Sequence, residues 1–255
     1  MKLSSFLRLK LTFAYKFLEN LRELYKDIKT ANFESFDLQE IERLSGTNNP
    51  IIMDIGSNDG EEILDFLKLY PRCKVYAIEA DPECFKRLQN RFKKDSRVKC
   101  FNLAIADING TINFNCSSGF ATKEQRRTNI QHDYSGSILK PKLHLKIHPN
   151  VKFEKEIKVN CMTLDSFIVS HDLLAPDFLW IDVQGAEYKV LKGGIETLKK
   201  TKAIYTEYSL KELYEEQKDL WFIANYLKDI GFKLCLLYTS PSPRDREKSR
   251  MPSSA

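Results

Sequence analysis

The stretch IIMDIGSNDG, Ile51–Gly60, constrains the fold more than any other part of the chain. Apolar residues run into Asp54, and two glycines follow with polar residues between them. The next stretch, EEILDFLKLY, sets Ile63, Leu64, Phe66, Leu67 and Tyr70 at helical spacing. The pattern predicts a buried strand, a tight glycine turn and a helix. Gly56 and Gly60 allow left-handed backbone and close approach to a ligand. In open α/β sheets, nucleotides bind at such turns, at the carboxyl ends of strands. The spacing is Gly-x-x-x-Gly and departs from the Gly-x-Gly-x-x-Gly dinucleotide fingerprint. A purely structural turn has the same signature.

The following unit sharpens the pattern. KVYAIEAD, Lys74–Asp81, reads as a second strand ending in Glu79, which lies 19 positions after Gly60 (79 − 60). In nucleotide-binding α/β folds an acid at that place accepts hydrogen bonds from ribose hydroxyls. A carboxylate suits a vicinal diol because it only accepts, and the diol donates twice. Asp81 and Pro82 then open a helix, as N-cap and first helical residue. Its buried stripe is Phe85, Leu88 and Phe92.

A chain of 255 residues holds one α/β domain and an extension. Its 42% hydrophobic and 29% charged residues are those of a soluble globular protein. The net charge of +5 comes from interspersed acids and bases, so no nucleic-acid arm stands out. The six cysteines form no CxxC pair and no metal-like cluster, and no metal is expected. Scattered cysteines point to reduced thiols in the cytoplasm. No apolar run is long enough to span a membrane. The start, MKLSSFLRLKLTFAYKF, is not read as a signal peptide, because Arg8 and Lys10 break its apolar core.

Residues 1–45 are expected to be a helical extension. Ala14, Phe17, Leu18, Leu21, Leu24, Tyr25 and Ile28 form a stripe on it. The extension either packs on the domain, lids the cofactor, or contacts a membrane surface through Lys2, Arg8, Lys10 and Lys16. Val98–Ile105 reads as a third strand, and Asn109-Gly110 as a hairpin signal before a short returning strand, Thr111–Cys116. Ser117–Asn150, with the basic run Lys123–Arg127, is too long for an ordinary connector and reads as a substrate loop or a disordered segment. Within it Leu143, Leu145 and Ile147 alternate with His144, Lys146 and His148, a strand period with both histidines on a solvated face.

Further strands are expected at Glu156–Cys161, Phe178–Val183, Ala203–Tyr208 and Phe232–Leu237. Helices are expected after Thr163, after Gly185 and at Leu220–Leu227. Alternating strands and helices predict a mostly parallel, doubly wound sheet with helices on both faces.

Cys235–Asp245, CLLYTSPSPRD, resembles the in-frame translation of a transposon adapter used in sequencing libraries, and Ser249–Ala255 matches its continuation. The domain is therefore expected to span 46–234, and 235–255 to be a non-native, unstructured tail. That tail carries four bases and two acids, so the rest of the chain has net charge +3.

The motifs resemble the FkbM-type family of S-adenosylmethionine-dependent methyltransferases. They are DIGSNDG (Asp54–Gly60), YAIEADPECFKRL (Tyr76–Leu88), NLAIADINGTINF (Asn102–Phe114), VNCMTLDSF (Val159–Phe167) and WIDVQGAEYKVLKGG (Trp180–Gly194), in the family's order. Gln184 stands where the family usually has Glu. The resemblance implies a class I Rossmann-like methyltransferase fold whose last strand would fall beyond Leu234 and is truncated here. It implies S-adenosylmethionine as cofactor. Gly56, Ser57, Asn58 and Gly60 would lie on its methionine and ribose side, Glu79 on the ribose hydroxyls, and Ala104 and Asp107 near adenine. Asp54 would hold the loop or reach the cofactor amino group.

Methyl transfer from a sulfonium is an in-line displacement, for which the protein supplies orientation and a base. Asp182, Glu187 and Glu207 end or follow adjacent strands and are the catalytic candidates. Asp182 would be a general base, a metal ligand or a cofactor contact. The expected substrate is a hydroxyl of a sugar, glycan or secondary metabolite. An NAD-type oxidoreductase would also use Glu79, but the missing glycine fingerprint argues against it. A non-catalytic cofactor-binding module is the remaining alternative. Asp182-Val183-Gln184-Gly185 lacks the Pro-Pro-aromatic motif of nucleic-acid methyltransferases.

Overall fold

The computed structural model describes residues 38–120, 133–209 and 211–235. The bulk of residues 1–45, the basic run Lys123–Arg127 and almost all of the tail lie outside the described residues. Leu38–Leu220 belong to one compact unit, and Trp221–Cys235 to a second.

The first unit is built on a five-stranded parallel sheet. β1 (Ile51–Ile55) is its centre, paired with β2 (Lys74–Glu79) on one side and β7 (Phe178–Ile181) on the other. β3 (Val98–Asn102) extends the β2 side and β8 (Ala203–Thr206) the β7 side, giving the order β3-β2-β1-β7-β8. The strands are apolar on both faces because both faces are covered: Ile52, Met53, Ile55, Val75, Ala77 and Ile78 are all buried. The strand order reverses at β1. With right-handed crossovers, that reversal puts the helices of the two halves on opposite faces. Phe66 of α2 (Glu61–Leu69) meets Trp180 of β7 edge-on at 5.5 Å, while Phe167 of α5 (Leu164–Ser170) meets Phe101 of β3 at 4.9 Å. This is the doubly wound methyltransferase-type sheet expected.

Local signals set the helix ends. Asp81 accepts from the Glu83 N–H and caps α3 (Pro82–Phe92), with Pro82 at the first position. Thr163 accepts from the Ser166 N–H and caps α5. α1 (Glu40–Ser45) is held by the Tyr70 hydroxyl, which donates to the Leu38 carbonyl oxygen and accepts from the Glu42 N–H. Gly193 and Gly194 interrupt the helical stretch after Gly185. It is therefore two pieces, α6 (Glu187–Lys192) and α7 (Ile195–Leu198).

Four strand expectations are corrected. The chain leaves the first sheet at Leu103, and β4 (Ala104–Ala106) joins a second sheet of order β4-β6-β5. The strand after Asn109-Gly110, β5 (Gly110–Gly119), does not fold back on β4. It pairs antiparallel with β6 (Val151–Thr163), which separates the two. The expected Glu156–Cys161 strand is thus the middle of a 13-residue strand outside the parallel sheet. Phe114, Cys116, Val159 and Cys161 give the small sheet its own core. Lastly, Phe232–Cys235 are not a strand.

His144 is a further correction. His144–Ile147 form a single helical turn, α4, in which Leu145 and Ile147 are 45% and 49% exposed and His144 is 3% exposed. His144, expected on a solvated face, is buried, while Leu145 and Ile147 are exposed and Lys146 stays exposed as expected. His144 packs between Phe153 and Tyr214, and its Nε2 lies 3.1 Å from the Ser135 hydroxyl. α8 (Leu220–Asp229), which belongs to the second unit from Trp221 onward, is the helix expected there.

Candidate active site

A cleft opens at the carboxyl ends of β1, β2 and β7, where the strand order reverses. Its floor is Ile55 and Gly56 from β1, Ile78 and Glu79 from β2, and Asp182 to Gln184 after β7. Leu103, Ala104 and Ile105 form an apolar wall where the chain changes sheets. Among the described residues, every charged one that lines the cleft is an acid. Two of them are neutralised from outside it: Asp59 by Arg91 and Asp133 by Arg87.

The glycine turn is built by tertiary packing. Gly56 has φ 93°, and its N–H and that of Ser57 both donate to the Ile78 carbonyl oxygen. The Ser57 hydroxyl donates to the Asp54 carbonyl oxygen and accepts from the Ile78 N–H, so it ties β1 to β2 and does not line the cleft. Gly60, at φ 80°, is turned away as well. A Cβ there would lie 2.5 Å from Phe92 and 2.8 Å from Leu88 on α3. Asn58 lines the cleft with left-handed backbone. Its Nδ2 donates to the Asp133 carbonyl oxygen, while its buried Oδ1 meets no donor.

Glu79 is buried at the cleft floor. Oε2 accepts from the Asn58 N–H at 2.8 Å and Oε1 from the Asp81 N–H at 2.6 Å. Burial pushes its carboxyl up to about 7, against those two amides, which favour the charge. Each oxygen keeps a further lone pair. Ala104 lines the apolar wall, whereas Asp107 does not reach the cleft and pairs with Lys192 at 2.8 Å.

Of the three catalytic candidates, only Asp182 lines the cleft. Burial raises its carboxyl well above the usual range, and Glu207 and Glu62 raise it further. Its Oδ1 lies 2.7 Å from the Gln184 side-chain amide. Glu207 acts on it through the field from the end of β8. Glu187 is buried one turn behind, accepts from the Gly185 N–H at 3.0 Å, and is raised to about 7, chiefly by burial. Asp54 lies fully beneath the turn. Its Oδ2 meets no donor, and burial and then Glu62 raise its carboxyl well above the ordinary value. Among the described residues, no group of His, Cys, Asp or Glu is arranged to hold a metal ion.

The segment Asp133–Leu139 closes one side, and no residue of it had been singled out from the sequence. Asp133, Tyr134, Gly136 and Ile138 line the cleft. Asn115 latches the segment: it exchanges backbone hydrogen bonds with Ser137, and its side chain donates to the Ser137 and Leu139 carbonyl oxygens. The Ser137 hydroxyl donates to the Gln184 carbonyl oxygen, which joins the strap to the end of β7. The sequence signal was only the length of the polar stretch.

A parallel sheet that reverses order over an acid-lined cleft, with Gly56 and Glu79 at its floor, defines a Rossmann-like methyltransferase. The methyltransferase FkbM domain model matches residues 54–234, so the chain belongs to that family and is a methyltransferase. It is 38% identical over 209 residues to a protein of Sinorhizobium fredii (strain NBRC 101917 / NGR234) named 2-O-methyltransferase NoeI, covering 82% of this chain and 84% of that one. Among solved structures, it resembles a methyltransferase FkbM from Methylobacillus flagellatus KT, with 17% identity and TM-score 0.45. That match covers 72% of this chain, which spans only 38% of that one. A precorrin-6y C5,15-methyltransferase from Geobacter metallireducens GS-15 aligns at 14% identity and TM-score 0.38, over 80% of this chain and 79% of the other. At that similarity neither structure bears on the site.

Proposed function

We propose that the chain transfers a methyl group from S-adenosylmethionine to a hydroxyl of a sugar-type acceptor. The observation that carries this reading is the charge of the cleft. It is lined by acids with no Lys, Arg or His among the described lining residues. A cleft of that sign disfavours the diphosphate of NAD and favours a sulfonium and an ammonium. A buried acceptor without a donor at the cleft, Asn58 Oδ1, fits the same cation-bearing ligand.

Bound there, S-adenosylmethionine supplies a methyl group activated on a positive sulfur. Gly56 and Asn58 hold its methionine side. Glu79 uses its remaining lone pairs on the ribose hydroxyls, and Leu103, Ala104 and Ile105 cover the adenine. Asp182 faces the reacting end and takes the acceptor hydroxyl's proton, with burial, Glu207 and Glu62 keeping its basicity high. The name of the Sinorhizobium relative, a 2-O-methyltransferase, supports an oxygen acceptor. Among the described residues, no helix is long and apolar enough to cross a membrane. The six free cysteines support a reducing, cytoplasmic setting.

The test is incubation with S-adenosylmethionine labelled in its methyl group and a panel of free and linked saccharides. The reading predicts label in a base-stable methyl ether. Label only in base-labile esters or in nitrogen-linked products contradicts it.

A further inference from the structure

Gln184 meets Asp182 with two donors. Its side-chain Nε2 donates to Asp182 Oδ1 at 2.7 Å, and its backbone N–H also favours the Asp182 carboxylate. The other neighbours pull the opposite way. Asp182 is faced by Glu207 after β8, Glu62 on α2, Asp54 on β1, Glu187 on α6 and Tyr214. All five are acids. Against them Gln184 offers N–H groups without adding a charge.

The amide is aimed by its surroundings. Gln184 follows β7 with left-handed backbone, at φ 52°. Its carbonyl oxygen accepts from the Ser137 hydroxyl at 2.8 Å, which ties it to the strap. The Tyr214 hydroxyl donates to the Ser135 carbonyl oxygen at 2.8 Å and, as the longer branch, to Gln184 Oε1 at 3.3 Å. With Oε1 turned to a donor, Nε2 is turned to the carboxylate, so each end of the amide meets the partner that suits it. Tyr214 is itself fixed. Its ring is 1% exposed and packs on His144 and Phe153, and a Cβ on Gly185 would lie 3.0 Å from it.

We propose that Gln184 is a positioning residue: its amide N–H holds Asp182 Oδ1, sets the rotamer of the carboxylate, and leaves the remaining carboxylate lone pairs to the acceptor hydroxyl. This role rests on the reading above of Asp182 as the base. In that step the acceptor O–H bond breaks, its electron pair stays on the acceptor oxygen, and the proton moves to Asp182.

Two consequences follow for the variants. A carboxylate among acids is a base only where it ionises, and an N–H donor favours the ionised form. Gln184→Leu removes the side-chain donor, so Asp182 should ionise only at higher pH. Gln184→Glu keeps the shape but sets a second carboxyl against Asp182, and two carboxyls in contact share one proton.

The test is infrared difference spectroscopy of the free protein over a pH series, each form measured against the same form carrying Asp182→Asn. The difference follows the Asp182 carboxyl band as it turns into carboxylate signal. Gln184→Leu should move that transition up by about one pH unit, the scale of one hydrogen bond to a charged group. Gln184→Glu should move it further. A transition that stays in place or moves down overturns the proposal, and Gln184→Glu decides if Gln184→Leu fails to fold. Kinetics supply the second readout, with methyl-labelled S-adenosylmethionine and the saccharide that the wild type labels. Gln184→Leu should lower kcat by about tenfold or more, with the saccharide KM and the S-adenosylmethionine dissociation constant within about twofold of wild type. Part of the lost rate should return as the pH is raised, which a merely packing role would not produce. A loss confined to KM or to cofactor affinity makes Gln184 a ligand contact and overturns the positioning role. A wild type that labels no saccharide sinks the methyl-transfer reading and leaves the spectra to judge the hold of Gln184 on Asp182.

Discussion

The Cβ that Gly56 lacks would lie 1.8 Å from the backbone carbonyl oxygen of Asp182. The turn after β1 and the end of β7 therefore touch through bare backbone, at a residue whose φ is 93°. Glycine is needed here by the protein itself, before any ligand arrives. The two strands are already locked by the Asp182 N–H donating to the Ile55 carbonyl oxygen at 3.0 Å.

Gly56→Ala should accordingly destabilise the free protein. Left-handed backbone alone costs about 1–3 kcal/mol for a residue with a side chain, and the clash with Asp182 adds to it. Urea unfolding without ligand measures the loss. Stability unchanged, with only cofactor affinity reduced, would mean that Gly56 serves ligand space instead.

Stability of the free protein should rise as pH falls from about 8 to about 5. Glu79 and Glu187 sit near 7 when folded, against an ordinary value of 4.5. Between those values the folded state binds protons that the unfolded state has given up, so lowering the pH favours folding. Above the window both states are ionised and the full burial penalty is present; below it both are protonated and the penalty is gone. Each group contributes up to roughly 3 kcal/mol across the window. Melting temperatures across it should show the slope, and Glu187→Gln should flatten it. A profile that falls toward pH 5 contradicts these assignments.

Asn115→Ala should loosen the strap that walls the cleft. It removes two buried side-chain bonds and leaves the Leu139 carbonyl without its partner, a cost of about 1–3 kcal/mol. Hydrogen exchange should quicken at Ser137 and Leu139 while β1 and β2 stay protected. Uniform quickening would mean that the strap is part of the global core.

Where short-range chemistry decides, the sequence was legible. Ile51–Gly60 is the strand, turn and helix start it spells, and the Asp81 and Thr163 caps are those of the structure. Leu64, set with Ile63, Phe66 and Leu67 at helical spacing, is 49% exposed, because spacing fixes a face only to within one residue. What escaped was long-range. Val98–Ile105 is one apolar run, and nothing local reveals that Leu103 passes it from one sheet to another. Leu143, Leu145 and Ile147 alternate too briefly to tell a strand from a helical turn. The strap's role depends on Asn115, 18 or more residues earlier in the chain. The acids after β7 were found as a group, but only packing separates Asp182, in the cleft, from Glu187 behind it.

The most direct test of the central claim is calorimetric titration of S-adenosylmethionine into wild type and Glu79→Ala, with NAD as control. Glu79 holds the Asn58 and Asp81 amides and is proposed to meet the ribose. Its loss should weaken binding by about 1.5–3 kcal/mol, the scale of hydrogen bonds to a charged group. The account predicts saturable binding of S-adenosylmethionine, about tenfold or more weaker in Glu79→Ala, and none of NAD. Binding of NAD instead, or a dissociation constant unmoved by Glu79→Ala, would contradict it.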